Sequence, residues 1–143
     1  TYNGAGGVRD ATLTVLAGER VAIVGKNGAG KSTLLRTCIG LLAPERGTVT
    51  LAGHDVHRAR AVAMRFAGYV DDDPTYFETL TLAEAFLLNG DVRGIPRSET
   101  NSILQALARP LELGALLERR TKELSFGERK RAALALAMAH RPR

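Results

Sequence analysis

An α/β fold with strands gathered in the first half and helices in the second is predicted by three features of the sequence. Arg20 to Val24 is a short β-branched run of the kind that forms a buried parallel strand, and it leads into a glycine-rich loop. Phe66 to Val70 repeats the strand pattern until Asp71-Asp72-Asp73-Pro74 breaks it. Beyond Pro74 the periodicity is helical throughout. Strands first and helices second imply a core carrying a helical subdomain, with a division at 1–70 and 71–143.

Taken in order, Ala11 to Val15 alternates apolar and polar residues and reads as a half-exposed strand, closed by a turn at Ala17-Gly18-Glu19. The Arg20 to Val24 strand follows, then the loop starting at Gly25 and a helix from Lys31 to about Leu41. Pro44 to Gly47 is a turn, Thr48 to Leu51 a strand with a reversal at Gly53, and Arg58 to Met64 a short helix. After the strand at Phe66 to Val70, helices are expected at Leu82 to Leu88, Ser98 to Ala108, Leu113 to Arg119 and Glu128 to His140. The last is apolar on almost every side after Arg131, so it is expected to be covered from several directions.

Length and composition bound the function. The 143 residues suit one compact domain, which buries roughly 68–70% of its unfolded surface. A chain 45% hydrophobic and 24% charged has an ordinary globular composition. The longest apolar run, Ala132 to Ala139, is far short of the ~20 residues of a membrane span, and no charged-then-apolar leader opens the sequence. The single Cys38 cannot form an intrachain disulfide and reads as a small buried hydrophobe in a reducing compartment. Net charge is +5, with the cations scattered apart from Arg129-Lys130-Arg131 and without interleaved aromatics for stacking bases. Nucleic acid is therefore not an expected partner, whereas an anionic ligand is.

Gly25-Lys26-Asn27-Gly28-Ala29-Gly30-Lys31-Ser32 fits the G-x-x-x-x-G-K-[ST] phosphate loop. Glycines let the backbone fold tightly enough for its N–H groups to converge on one anion, and the helix that follows offers its positive end to the same phosphates. Lys31 is expected to reach the β and γ phosphates and Ser32 to bind Mg²⁺. The bland reading, a flexible glycine turn, does not account for the strand before and the helix after.

Leu124-Ser125-Phe126-Gly127-Glu128 admits two readings. Ser125 and Glu128 stand at capping-box spacing and could simply start a helix. Three cations, Arg129 to Arg131, then occupy the first turn, where the helix dipole disfavours them. An anion docked at that helix start reverses the effect, which favours a phosphate-facing role.

The phosphate loop, the strand ending in Gly68-Tyr69-Val70, the helical stretch and Leu-Ser-x-Gly-Glu followed by basic residues together resemble the ATPase domain of ABC transporters, over the whole chain. The resemblance implies a P-loop NTPase core, here a partial and mostly parallel sheet with an antiparallel β-subdomain, plus a helical subdomain. It implies ATP and Mg²⁺ as ligands, with Gly25, Asn27, Gly28, Ala29, Gly30, Lys31, Ser32 and Thr33 around the phosphates and Tyr2 stacked on adenine. Ser125 and Gly127 fall in the signature motif, which contacts the γ-phosphate held by a second ATP-binding domain. Partners implied are that second domain and transmembrane permease subunits, at the cytoplasmic face of the cell membrane.

Two positions depart from the family pattern. Asp72 stands where Gln usually meets Mg²⁺ and the attacking water; an Asp can still ligate Mg²⁺, and an acid here points toward the exporter-type branch. The bland alternative makes Asp71 to Asp73 a solvated turn. Phe126 replaces a usual Gly. The family's Asp-Glu strand, with the general base, and its γ-phosphate-sensing His are expected to lie outside these residues. The expected catalytic residues within them are Lys31 and Asp72, and the expected metal ligands Ser32 and Asp72. None of His54, His57 and His140 fits the sensor. A small P-loop kinase with Asp71 on Mg²⁺ leaves Leu124 to Arg131 unexplained. A non-transport ABC protein of the DNA-repair type should show a long coiled coil, and no sustained heptads occur.

Overall fold

The computed structural model describes residues 8–74 and 78–142, so Tyr2 lies outside the described residues. The chain divides into two compact units, Thr1–Met64 and Arg65–Arg143.

In the first unit, α1 (Lys31–Cys38) begins at Gly30, whose φ of 91° only glycine adopts without strain. It stops earlier than predicted because Gly40, also left-handed, ends the helical path. That glycine is required twice over, since a Cβ there would meet the Val56 carbonyl oxygen at 2.8 Å. The Arg60 guanidinium donates to the Gly40 carbonyl at 2.6 Å and ties the end of α1 to α2 (Arg60–Ala63). Between these helices lies an antiparallel hairpin of β1 (Thr50–Leu51) and β2 (His54–Asp55), paired Thr50 to Asp55 and Leu51 to His54. Its two-residue turn, Ala52-Gly53, has positive φ at both positions (48° and 79°), the geometry whose twist matches a hairpin. Val56 and Ala63 are fully buried beneath it.

This hairpin is the sheet found among the described residues. The segments Ala11 to Val15, Arg20 to Val24 and Phe66 to Val70, predicted as strands, form no ladder there. A parallel strand is stable when flanked on both sides, and Val21 and Val24 are instead 50% and 87% exposed.

The second unit is helical and carries the larger core. Leu82, Phe86, Ile103, Leu104, Leu113, Leu124 and Leu136 pack together with Ala132, Ala135 and Ala139. They come from α3 (Leu82–Val92), α4 (Arg97–Ala108), α5 (Phe126–Met138) and the turns between. α3 and α4 approach closely at Gly90, where a Cβ would collide with the Thr100 side chain. Thr81 caps α3 in a reciprocal box with Glu84.

The helix predicted over Leu113 to Arg119 is only a 3-10 turn at Gly114–Leu116. The Leu82 and Ala83 amides at the start of α3 lack intrahelical acceptors and donate to the Arg119 and Leu117 carbonyls, both at 3.0 Å. Those carbonyls are drawn out of any helical pattern of their own. Thr121 closes the connection by donating to Leu80 at 3.0 Å. No described helix is long and apolar enough to cross a membrane.

Candidate nucleotide-binding site

The glycine loop has the shape its spacing predicts. Ala29 donates to the Lys26 carbonyl at 3.1 Å, turning the chain tightly, with Gly28 inside the turn at φ 81°. A Cβ on Gly25 would sit 3.3 Å from that of Ala29, so a larger residue crowds the loop. Gly30 then starts α1 with no side-chain cap, and no acidic residue occupies the first turn. The leading amides of α1 therefore have no side-chain acceptor, at the end of the helix where its dipole favours an anion.

Lys31 completes the cradle. Its Nζ donates to the Gly25 and Lys26 carbonyls, each at 2.9 Å, so the ammonium is folded back across the loop. Three donors and two carbonyls leave one N–H for another acceptor. Lys26 contributes its carbonyl to this arrangement and not its side-chain charge. Asn27 and Ser32 are exposed beside it, and Thr33 is half-buried with its carbonyl accepting from the Thr37 hydroxyl at 2.8 Å. Cys38, expected to be buried, is half-buried, and that burial still raises its thiol pKa.

At the start of α5 the capping box forms in full. Ser125 Oγ accepts from the Glu128 amide at 3.4 Å, and the Ser125 amide donates to Glu128 Oε2 at 2.6 Å. Glu128 also accepts from the Arg119 guanidinium at 3.1 Å. These contacts, the Ser125 amide first, hold its carboxyl below the ordinary value of 4.5. The three cations also find partners or cover without an anion. Arg129 donates to the Leu124 carbonyl at 3.0 Å and Lys130 to the Asp71 carbonyl at 3.2 Å, while Arg131 Nε is buried without a hydrogen-bond partner. The dipole argument for an anion at this helix start therefore loses its force. The chemistry does not exclude one, because the cap needs only a lone pair of Ser125, and its O–H, which faces the Glu128 carboxylate, can turn to another acceptor. Phe126 is 56% exposed, and open space surrounds Gly127.

Asp72 is exposed in a turn, its amide donating to Asp71 Oδ1 at 2.8 Å. The segment before it follows α5, with the Ala67 carbonyl 3.1 Å from a ring nitrogen of His140. His57 lies at the surface, and its amide donates to Asp55 Oδ1 at 2.8 Å. No group of three or more His, Cys, Asp or Glu that could hold a metal occurs among the described residues. Arg119 escapes the sequence reading. Nothing in the spacing shows that it reaches Glu128, because an irregular turn brings them together.

In sequence and in fold the chain resembles known proteins of one family. A family model described as ABC transporter matches residues 8–143. The chain is 34% identical over 136 residues to the sulfate/thiosulfate import ATP-binding protein CysA of Thermosynechococcus vestitus, covering 95% of this chain and 40% of that protein. It is 37% identical over 137 residues to the energy-coupling factor transporter ATP-binding protein EcfA1 of Lactiplantibacillus plantarum, covering 94% and 49%. A solved structure of the ATP binding subunit of an ABC transporter superposes with a TM-score of 0.74 at 29% identity, over 83% of this chain and 50% of that one. The chain thus spans less than half the length of the two curated relatives. By sequence and by its P-loop NTPase fold, it belongs to the ABC transporter family, as part of an ATP-binding domain.

Proposed function

We propose that this chain is part of the ATP-binding subunit of an ABC transporter, in which ATP binding and hydrolysis drive a substrate across a membrane. The observation that carries the reading is the uncapped start of α1 beneath a glycine loop, with Lys31 folded over it. Backbone amides from Gly25 to Thr33 hold the β and γ phosphates, and Lys31 turns from the two carbonyls toward their charge. This exchange replaces neutral acceptors by charged ones, which bind an ammonium about twice as strongly.

The residues fit a magnesium ion shared with the phosphates. Mg²⁺ keeps most of its waters and needs few protein ligands, and the exposed Ser32 hydroxyl supplies one. When bound, the ion neutralises charge that develops on the phosphates. Asp72 is a second proposed ligand, and its exposed carboxylate suits that role. Ser125 and Gly127 face the γ-phosphate held by a second ATP-binding domain, the Ser125 hydroxyl donating while it caps α5. Tyr2 is proposed to stack on adenine. Permease subunits anchor the assembly at the cytoplasmic face of the membrane.

Hydrolysis by the whole protein tests the reading. Lys31→Ala is expected to abolish Mg-dependent phosphate release, and Asp72→Ala to lower it while Asp72→Gln retains part of it. A Lys31→Ala protein with wild-type turnover would sink the proposal.

A further inference from the structure

The segment before Asp72 lies along α5 and is held at successive points. The Ala67 carbonyl meets a His140 ring nitrogen at 3.1 Å, near the end of the helix. Gly68 packs so closely on the Ala137 carbonyl that a Cβ would lie 2.5 Å from its oxygen. Nearest the start of α5, Lys130 Nζ donates to the Asp71 carbonyl at 3.2 Å. Later residues of the segment meet earlier residues of the helix, so the Asp71 to Asp73 turn lies toward the N-terminal part of α5.

Lys130 has a second contact. Its ammonium sits 5.2 Å from the centroid of the Phe126 ring, within the range of a cation–π interaction. Lys130 stands just past the first turn of α5, and its long stem carries the charge away from the helix to another segment. The ammonium thus sits over the ring while it donates to the Asp71 carbonyl.

We propose that Lys130 is a positioning residue that fixes the Asp71 to Asp73 turn against the signature end of α5, so that Asp72 and Ser125 move together during turnover. The proposal rests on the ATPase reading above. It assigns Lys130 no contact with nucleotide, and it gives Phe126, in place of the usual Gly, the task of holding Lys130. Breaking the tie therefore affects the rate and leaves nucleotide affinity alone.

The test uses the whole protein and measures ATP affinity and steady-state hydrolysis for Lys130→Met, Lys130→Arg and Lys31→Ala. Lys130→Met keeps the stem and removes the donor; kcat is expected to fall about tenfold. The Kd for ATP should stay within about twofold. Lys130→Arg should restore most of the rate, since a guanidinium can both donate and lie over the ring. Unchanged turnover in Lys130→Met, or an equal loss of affinity, overturns the proposal. So does an arginine variant as slow as the methionine one. If Lys130→Met does not fold, Lys130→Gln takes its place, being too short to reach Asp71, and the same outcomes apply. Loss of ATP binding in Lys31→Ala alongside normal turnover in Lys130→Met overturns the role of Lys130 alone. Wild-type ATP binding by Lys31→Ala overturns the ATPase reading beneath it.

Discussion

Single side chains at the start of α5 carry a charge pattern with a measurable consequence. The Glu128 carboxyl is held below 4.5 by the Ser125 amide, the Ser125 hydroxyl, Arg119 and Arg131. Glu84 is lowered in the same way by Thr81, and Asp91 is held below 3.8 by its hydrogen bond with Arg97. A group whose folded pKa is depressed stabilises the fold fully above its unfolded pKa and loses that contribution as pH falls through the folded value. Thermal stability is therefore expected to be flat with respect to these groups above about pH 5.5 and to fall below 4.5, the ordinary value for Glu128. Glu128→Gln should flatten part of that fall, as read from melting curves across the range. Identical pH profiles for the variant and the wild type would mean that the box contributes nothing to stability. Side-chain identity and spacing made this box legible in the sequence, since Ser125 and Glu128 needed only a helix to meet. Arg119 was not legible, because its position depends on amides of α3 that capture the carbonyls around it.

Among the elements, helices were read better than strands, for a reason visible in their hydrogen bonds. Beyond their end turns α3, α4 and α5 satisfy their backbone internally, and two of them start at reciprocal caps written into four consecutive residues. Arg20 to Val24 and Phe66 to Val70 depend on neighbours for every ladder bond, so a strand pattern did not by itself produce a strand. The Thr50 to Asp55 hairpin formed because its partner lies only a two-residue turn away. The crossing of α3 and α4 yields a further prediction. Gly90 allows Thr100 to approach at van der Waals distance, and Thr100 is 1% exposed with its hydroxyl donating to the Pro96 carbonyl at 3.2 Å. Gly90→Ala gains helix propensity, yet the added methyl has to displace that side chain. The overpacking outweighs the propensity, and a net loss of about 1–3 kcal/mol is expected from denaturant unfolding. A more stable alanine variant would show that α3 and α4 can separate freely.

For the molecule as a whole, the two halves of the functional reading differ in origin. The local shape of the glycine loop was legible in the sequence, because G-x-x-x-x-G-K-[ST] specifies backbone geometry that glycine and a single helix can build locally, and its phosphate-binding role is the proposal made above. Positive φ at Gly28 and Gly30 and the folded-back Lys31 are that geometry realised. The signature end of α5 is different. Its hydrogen bonds are explained by helix capping, and its proposed second role depends on a ligand brought by another domain. Leu134 and Met138 on α5, expected to be covered, are 42% and 41% exposed. Leu13, Val15 and Leu16 lie at 50–64% in a segment without a ladder.

Calorimetric titration of Mg-ATP into the wild type, Lys31→Ala and Lys26→Ala tests the central claim most directly. Lys31 places an ammonium over the loop, and its loss is expected to weaken binding at least about tenfold. Lys26 serves the loop through its carbonyl, which alanine keeps, so Lys26→Ala should bind like the wild type. Equal losses in the two variants, or none in either, would contradict the assignment of Lys31 and with it the phosphate-binding role of this loop.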